Sequence, residues 1–308
     1  MNKLAAIFPG QGIQKVGMCS KLAEQSSASR LVFEEVDDAL SMKLSKVIFE
    51  GPEDALNLTE NTQPALMACS IALLRALEKA SGKQLKEFCS YLAGHSLGEF
   101  TALVAASSLS LRDCARLLKI RGRAMQDAPK GGMFALLGAN AEIAAQIASD
   151  SGVELANDNA PTQQVLSGHV DAIDAAMQMA SAAGYKVIKL NVGGAFHSKL
   201  MESAKDLIEE ALNGIPFLPP EIPIIANVSG EIMPKDLSAI KDALIKQVTG
   251  TVQWCKSMKT LVAFGVETII EIGPGTVCTN LVKRIDPDIK ALALQDMESI
   301  NFFSEKHF

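Results

Sequence analysis

Gly94-His95-Ser96-Leu97-Gly98 places a serine midway between two glycines. An apolar segment from Phe88 runs into it, and the Ala-rich run Phe100 to Ala106 follows. This is the pattern of a strand, a sharp turn and a helix, with the serine held at the turn. The glycines suit unusual backbone angles and a close approach of helix and strand. Ser96 would stand at a helix N-terminus, where unpaired N–H groups and the helix dipole favour negative charge. An oxyanion forming beside its Oγ would be stabilised there. A turn with two glycines and a serine also occurs as plain structure, so the rest of the chain has to supply partners.

A serine nucleophile needs a base, and the chain has four histidines. His307 is in a polar tail, and His169 opens a helix and reads as a surface residue. His95 adjoins the serine but points elsewhere on a tight turn. His197, in Gly193-Gly194-Ala195-Phe196-His197-Ser198, stands where a strand ends and a helix begins, and is the strongest candidate. Arg121 is a third chemical group. At about 100° per residue, Leu111, Cys114, Ala115, Leu118, Gly122 and Met125 fall on one side of a helix. Arg112, Arg116, Lys119 and Arg123 fall on the opposite, solvated side. Arg121 projects beside Cys114, Leu117 and Met125. An arginine there must find an anion or a dense set of acceptors; the anion would be a core carboxylate or a substrate carboxylate gripped bidentately.

The elements that would position these groups alternate in type. Leu4 to Phe8 reads as a buried strand ending in Pro9-Gly10-Gln11-Gly12, a loop that is either a plain connection or a ligand-facing turn. Residues 15–87 are mostly helical, with clear spacing over Ser29 to Leu40 and Gln63 to Ala80. Asp127 to Gly132 is a boundary. Beyond it come a strand (Met133 to Ala139), a helix (Ala141 to Ser151), strands Val153 to Asn157 and Gln163 to Ser167 around Asn159-Ala160-Pro161, a helix (Val170 to Ala183) and a strand (Lys186 to Val192). That β-α-β-β-α-β order is the ferredoxin-like arrangement. A helix from Lys199 to Leu212, a strand Ile222 to Val228 and helices Leu237 to Val248 and Trp254 to Phe264 follow. Strand Val266 to Ile272 ends in a second glycine loop, Gly273-Pro274-Gly275, that could lie beside the first. Asp288 to Leu294 is a last strand, and the tail after Met297 carries no signal. The expected fold is α/β: a large unit, 1–127 with 194–308, and an inserted small unit, 128–193.

Composition sets the class. Hydrophobic residues make up 48% of the 308, enough for a good core, and charged residues 21%. A net charge of −6 argues against a nucleic-acid binder. No stretch is long and apolar enough for a signal core or a membrane span. Cys19, Cys69, Cys89, Cys114, Cys255 and Cys278 are scattered, without the pairing of a zinc site or disulfide framework, and fit a reducing cytoplasm.

Six stretches then coincide in order: Pro9-Gly10-Gln11-Gly12-x-Gln14, Gly94 to Glu99, Arg121-Gly122-x-x-Met125-Gln126, Ala195-Phe196-His197-Ser198-x-Leu200-Met201, Val252-Gln253-Trp254 and Gly273-Pro274-Gly275. Together they closely resemble the malonyl-CoA:acyl carrier protein transacylases and the related acyltransferase domains of polyketide synthases, from Leu4 to about Leu294. The resemblance implies an α/β-hydrolase-like core with a parallel sheet and the inserted ferredoxin-like subdomain. It implies Ser96 as the acylated nucleophile, His197 as base and acid, and the Gln11 and Leu97 N–H groups as an oxyanion hole. It implies Arg121 at the malonyl carboxylate, with Asn159 and Gln247 near the site and His197 held by acceptors at Gln247. Phe196 before His197, and Leu97 after the serine, accompany malonyl selection in related domains. It implies no metal and no cofactor, malonyl-CoA being a substrate, and acyl carrier protein as the partner of a monomer. Lys199, Lys205, Lys283 and Arg284 are candidates for a basic docking patch.

Three rival readings stay open. A serine esterase or thioesterase would carry an Asp or Glu triad member between the serine and a histidine near the C-terminus, and Arg121 would have no purpose in it. A non-catalytic scaffold docking a carrier protein would show a broken set. A discrete acyltransferase of a polyketide assembly line shares all the chemistry.

Overall fold

The computed structural model describes residues 3–308. Met1 and Asn2, which open the larger unit expected from the sequence, lie outside the described residues. The strands are β1 (Lys3–Phe8), β2 (Tyr91–Gly94), β3 (Gly131–Leu137), β4 (Glu154–Ala160), β5 (Gln163–His169), β6 (Lys186–Lys189), β7 (Ile224–Ile225), β8 (Val266–Ile272) and β9 (Lys290–Leu294). They form a mixed α/β architecture with two separate sheets. One is a five-stranded sheet in the order β7-β2-β1-β8-β9, with every pairing parallel. The other is four-stranded in the order β4-β5-β3-β6, with every pairing antiparallel.

The parallel sheet is apolar on both faces because helices cover both. Leu4, Ala6 and Phe8 of β1 point into one core, built with helices Ser27–Leu40, Thr59–Ser81, Leu97–Ala105 and Leu111–Asp127. Ala5 and Ile7 alternate into a second core with Trp254, Met258 and Leu281. Phe134, Leu136, Leu166 and Ile173 make a third core under the antiparallel sheet. Strand β4 is tied to the segment before the Trp254–Ala263 helix by an isolated bridge. Val252 pairs with Asn157, receiving the Asp158 N–H at 3.0 Å and donating to the Ala156 carbonyl at 2.9 Å.

Several expected elements change in extent. The strand expected over 222–228 shrinks to β7. Pro219, Pro220 and Pro223 offer no ladder donors, and the chain turns back at once, with the Ala226 and Glu231 backbones bonded. Asn159 lies within β4, which runs on to Ala160 through two register shifts, so the hairpin turn is Pro161-Thr162. Strand β6 stops at Lys189, short of Val192. Two helices go beyond the sequence reading, Val277–Ile285 after the second glycine loop and Met297–His307 in the tail. The tail helix is capped by Asp296 and anchored by buried Ile300 and Phe303. The two glycine loops do lie together, since a Cβ on Gly273 would fall 2.4 Å from Pro9 Cγ.

Candidate active site

Ser96 occupies a strained turn between β2 and the Leu97–Ala105 helix. Its φ is 53° and its ψ −107°. That conformation costs a non-glycine residue on the order of 1–3 kcal/mol, so the surroundings must impose it. Gly94 and Gly98 make the turn possible. A Cβ on Gly94 would stand 1.8 Å from the Gly98 carbonyl oxygen, and one on Gly98 2.4 Å from the Phe8 carbonyl oxygen. Asn227, fully buried, closes the turn from below. Its Oδ1 accepts the Ser96 N–H at 2.8 Å and its Nδ2 donates to the Gly94 carbonyl at 2.7 Å.

His197 also has positive φ, 58°. Its Nδ1 lies 2.8 Å from the Gln247 main-chain carbonyl, and its Nε2 2.8 Å from Ser96 Oγ. A carbonyl oxygen only accepts, so Nδ1 carries the proton and Nε2 is free to accept from the serine hydroxyl. Burial lowers the His197 pKa from 6.5 to about 3, with the Arg121 charge adding to it. The ring is therefore neutral at physiological pH, as a base must be. Among the described residues no carboxylate bonds the ring directly, unlike the esterase arrangement.

Arg121 is 1% exposed. Gly122 lets its helix approach the start of the Thr59–Ser81 helix, where an added Cβ would meet the Thr59 carbonyl oxygen at 2.4 Å. The guanidinium lies over the Phe100 ring at 5.2 Å. Nη1 donates to Gln63 Oε1 at 2.7 Å, and Nη2 to Gln247 Oε1 at 2.8 Å and to Ser96 Oγ at 3.3 Å. Its Nε is buried without a partner. Among the described residues it makes no direct ion pair; Glu99 is the nearest opposite charge, one carboxamide away. Burial brings the Arg121 pKa down to about 10, with Glu99 opposing, so it remains a cation. Of the arginines and lysines expected on the solvated side, Lys119 is half-buried and bonds Asn61 and Glu60.

These groups open onto a cavity of about 250 Å³. Ser96, His197, Arg121, Gln11, Leu97 and Asn159 all line it, whereas Gln247 lies behind the wall, fully buried. The Gln11 and Leu97 amides, one from each turn, have no protein hydrogen-bond partner among the described residues. The antiparallel sheet faces them with Met133, Ala135 and Val165. His95 does turn away from Ser96, but it still lines the cavity, with Nε2 2.8 Å from Asn159 Oδ1. His169 is exposed beside Asp171. Of the basic candidates, Lys199 pairs with Glu154, Lys205 with Glu202, and Arg284 donates to Gln163.

Sequence reasoning passed over Gln63, Asn227 and the role of Glu99. Glu99 is buried at 1% exposure. Its Oε1 accepts the Asn227 N–H at 2.9 Å and its Oε2 the Gln247 Nε2–H at 2.6 Å. Desolvation raises its pKa to about 7 against those hydrogen bonds and the pull of Arg121. A carboxylate inside an otherwise apolar helix was the available signal. Among the described residues, no three His, Cys, Asp or Glu side chains group to hold a metal, and no helix is long and apolar enough to cross a membrane.

Residues 6–296 match the acyl transferase domain family. The chain belongs to that family. It is 40% identical to the malonyl CoA-acyl carrier protein transacylase of Bacillus subtilis (strain 168), over 97% of this chain and 96% of that one. The acyl-carrier-protein-S-malonyltransferase of Bartonella henselae superposes with a TM-score of 0.95 at 44% identity, covering 99% of both chains. A malonyl-transacylase solved in complex with its type II PKS acyl-carrier protein superposes at 0.94, with 35% identity over 99% of this chain and 100% of that one.

Proposed function

We propose that this acyltransferase moves a malonyl group from coenzyme A to the phosphopantetheine thiol of acyl carrier protein, through a malonyl ester on Ser96. The observation that carries the mechanism is the chain of bonds through one oxygen. Ser96 Oγ reaches His197 Nε2 on one side and Arg121 Nη2 on the other, and Arg121 has neutral amides as its direct partners. An unpaired buried cation beside a nucleophile is a receptor for an acyl group that itself bears a carboxylate.

His197 takes the Ser96 proton as Oγ attacks the thioester carbonyl. The Gln11 and Leu97 N–H groups meet the tetrahedral oxyanion at the helix N-terminus. Collapse breaks the C–S bond, and coenzyme A leaves as a thiol with the proton from His197. The carrier thiol then gives its proton to His197 and attacks the ester, and Ser96 recovers its proton as it departs. Arg121 fixes the malonyl carboxylate throughout, and the apolar wall of Met133, Ala135 and Val165 limits water at the ester. All bond changes pass through these side chains and the two thioesters.

We read the parallel sheet as an α/β-hydrolase-like core. The β4-β5-β3-β6 order, with its two helices, supports reading 128–193 as an inserted ferredoxin-like subdomain. The six free cysteines support a reducing cytoplasm. The complex of a relative with a type II PKS carrier keeps a polyketide assembly line as a second reading, separable by comparing carrier proteins.

Intact mass after brief mixing with malonyl-CoA, beside Ser96→Ala, tests the proposal. A malonyl adduct on the wild type alone, discharged by carrier protein, is expected. Free malonate without an adduct points to a hydrolase. No adduct and no turnover points to a docking scaffold.

A further inference from the structure

Beneath the nucleophile turn lies a layer of buried polar side chains, Glu99, Asn227 and Gln247, that does not line the cavity. Two of them, Asn227 and Gln247, hold the backbone of Ser96 itself. Asn227 accepts its N–H, and Gln247 Nε2 donates to its carbonyl at 2.8 Å. Gln247 also sets Arg121 through Oε1 and His197 through its main-chain carbonyl. Both residues in turn donate to one side chain, Glu99, one hydrogen bond to each carboxylate oxygen.

We propose that ionised Glu99 is the positioning residue of this site, holding Asn227 and Gln247 so that Ser96, His197 and Arg121 stay in reactive alignment. The inference rests on the acyl transfer proposed above. Its basis is donor and acceptor accounting. Two N–H groups aim at Glu99, and only an ionised carboxylate accepts at both oxygens without presenting a proton of its own. A protonated acid or an amide opposes one donor with another, and the misfit falls on Asn227 or Gln247, hence on the turn. The groups facing Glu99 are the Asn227 N–H from the turn after β7 and the Gln247 carboxamide from the Leu237–Thr249 helix. Beyond that carboxamide lies the Arg121 guanidinium from the Leu111–Asp127 helix; His197 lies across Ser96 and is already neutral. Burial places the carboxyl near pH 7, so ionisation, and with it alignment, is lost as pH falls through neutrality.

The test is kcat/KM for acylation between pH 5.5 and 8.5, read with malonyl-CoA and with p-nitrophenyl acetate, whose acyl group has no carboxylate. Wild type is expected to lose rate toward acid with an apparent pKa near 7 for both substrates. Glu99→Gln is expected to be flat across the range and on the order of tenfold below wild type at pH 8. A limb that survives in Glu99→Gln, or a variant with wild-type rates, overturns the proposal. So does a limb seen with malonyl-CoA alone, which would place it at the Arg121 contact. Acylation by the ester but never by malonyl-CoA overturns the malonyl reading while the limb still judges Glu99. Glu271 is a second buried carboxyl whose pKa burial raises, so the infrared band of a buried carboxylic acid that is present in wild type and absent from Glu99→Gln reads the same group. It must vanish with the midpoint of the rate limb, and a separate midpoint overturns the assignment.

Discussion

The turn after β2 and the antiparallel strands opposite it form two walls of one cavity, and they are built differently. At the turn, Ser96 has positive φ, and the Ser96 N–H, Ser96 carbonyl and Gly94 carbonyl are each held by a buried side-chain amide. Across the cavity, Met133, Ala135 and Val165 come from regular strand backbone, and the polar groups are the amides of Asn157, Asn159 and Gln163. Reactive alignment needs a backbone that cannot relax, so donors and acceptors around the turn over-determine it. A wall that shapes an acyl group needs only volume. Changes at the turn should therefore act through geometry, and changes at the strands through contact.

The largest effect should come from the proposed nucleophile. Ser96→Ala is expected to lower malonyl transfer by roughly four orders of magnitude or more, and adding His197→Ala should cost almost nothing further, because the two act as a unit. Steady-state transfer to carrier protein checks both. A large additional loss in the double variant would separate the two residues and undo the pairing.

Glycines sharpen the comparison next. Gly94→Ala pushes a methyl to 1.8 Å from the Gly98 carbonyl oxygen, which the turn cannot yield without moving Ser96. A loss of about 4 kcal/mol or more in urea denaturation, or failure to fold, is expected. Gly132→Ala in β3 meets Ile173 only at 3.6 Å, an ordinary contact, and should stay within about 1 kcal/mol of wild type. Equal losses would mean the two walls are equally constrained.

Arg121→Ala removes the cation but leaves the turn in place. Malonyl transfer is expected to fall about 100-fold, the value of a charge-assisted pair, while acetyl transfer changes far less. Equal loss for both acyl groups in side-by-side kinetics would make Arg121 part of the scaffold.

How far the sequence discloses this site follows from what each residue depends on. Ser96 is legible because its local turn chemistry lies within five residues. Arg121 is legible because a helix converts spacing into direction, and its side can be read without knowing the neighbour. The neighbour itself is not legible. Gln63 is 58 residues away and Asn227 is 131 from Ser96, and an amide leaves no periodic or compositional trace. Gln247 enters through family resemblance alone. Glu99 is visible at a helix start, where acidic residues usually complement the dipole, which conceals its role as an acceptor pointing inward. The β3–β6 unit follows from element order, whereas the parallel sheet around β1 enters through the family resemblance. The short β7 does not, because its limit is set by three prolines and the turn that frees Asn227.

Asn159 is where the two walls touch chemically, and the smallest effect belongs to it. Its Oδ1 receives His95 Nε2–H, and the His95 ring packs so closely on the first loop that a Cβ on Gly10 would lie 2.9 Å from Nδ1. Gln11, which lines the cavity, is the next residue in that loop. Asn159→Ala therefore removes one neutral hydrogen bond, worth about 1 kcal/mol, from the support of the oxyanion donor proposed above. A roughly fivefold loss is expected, in kcat more than in KM, because that donor acts on charge present only in the transition state. If KM rises instead, Asn159 binds substrate directly, and the antiparallel wall does more than shape the acyl group.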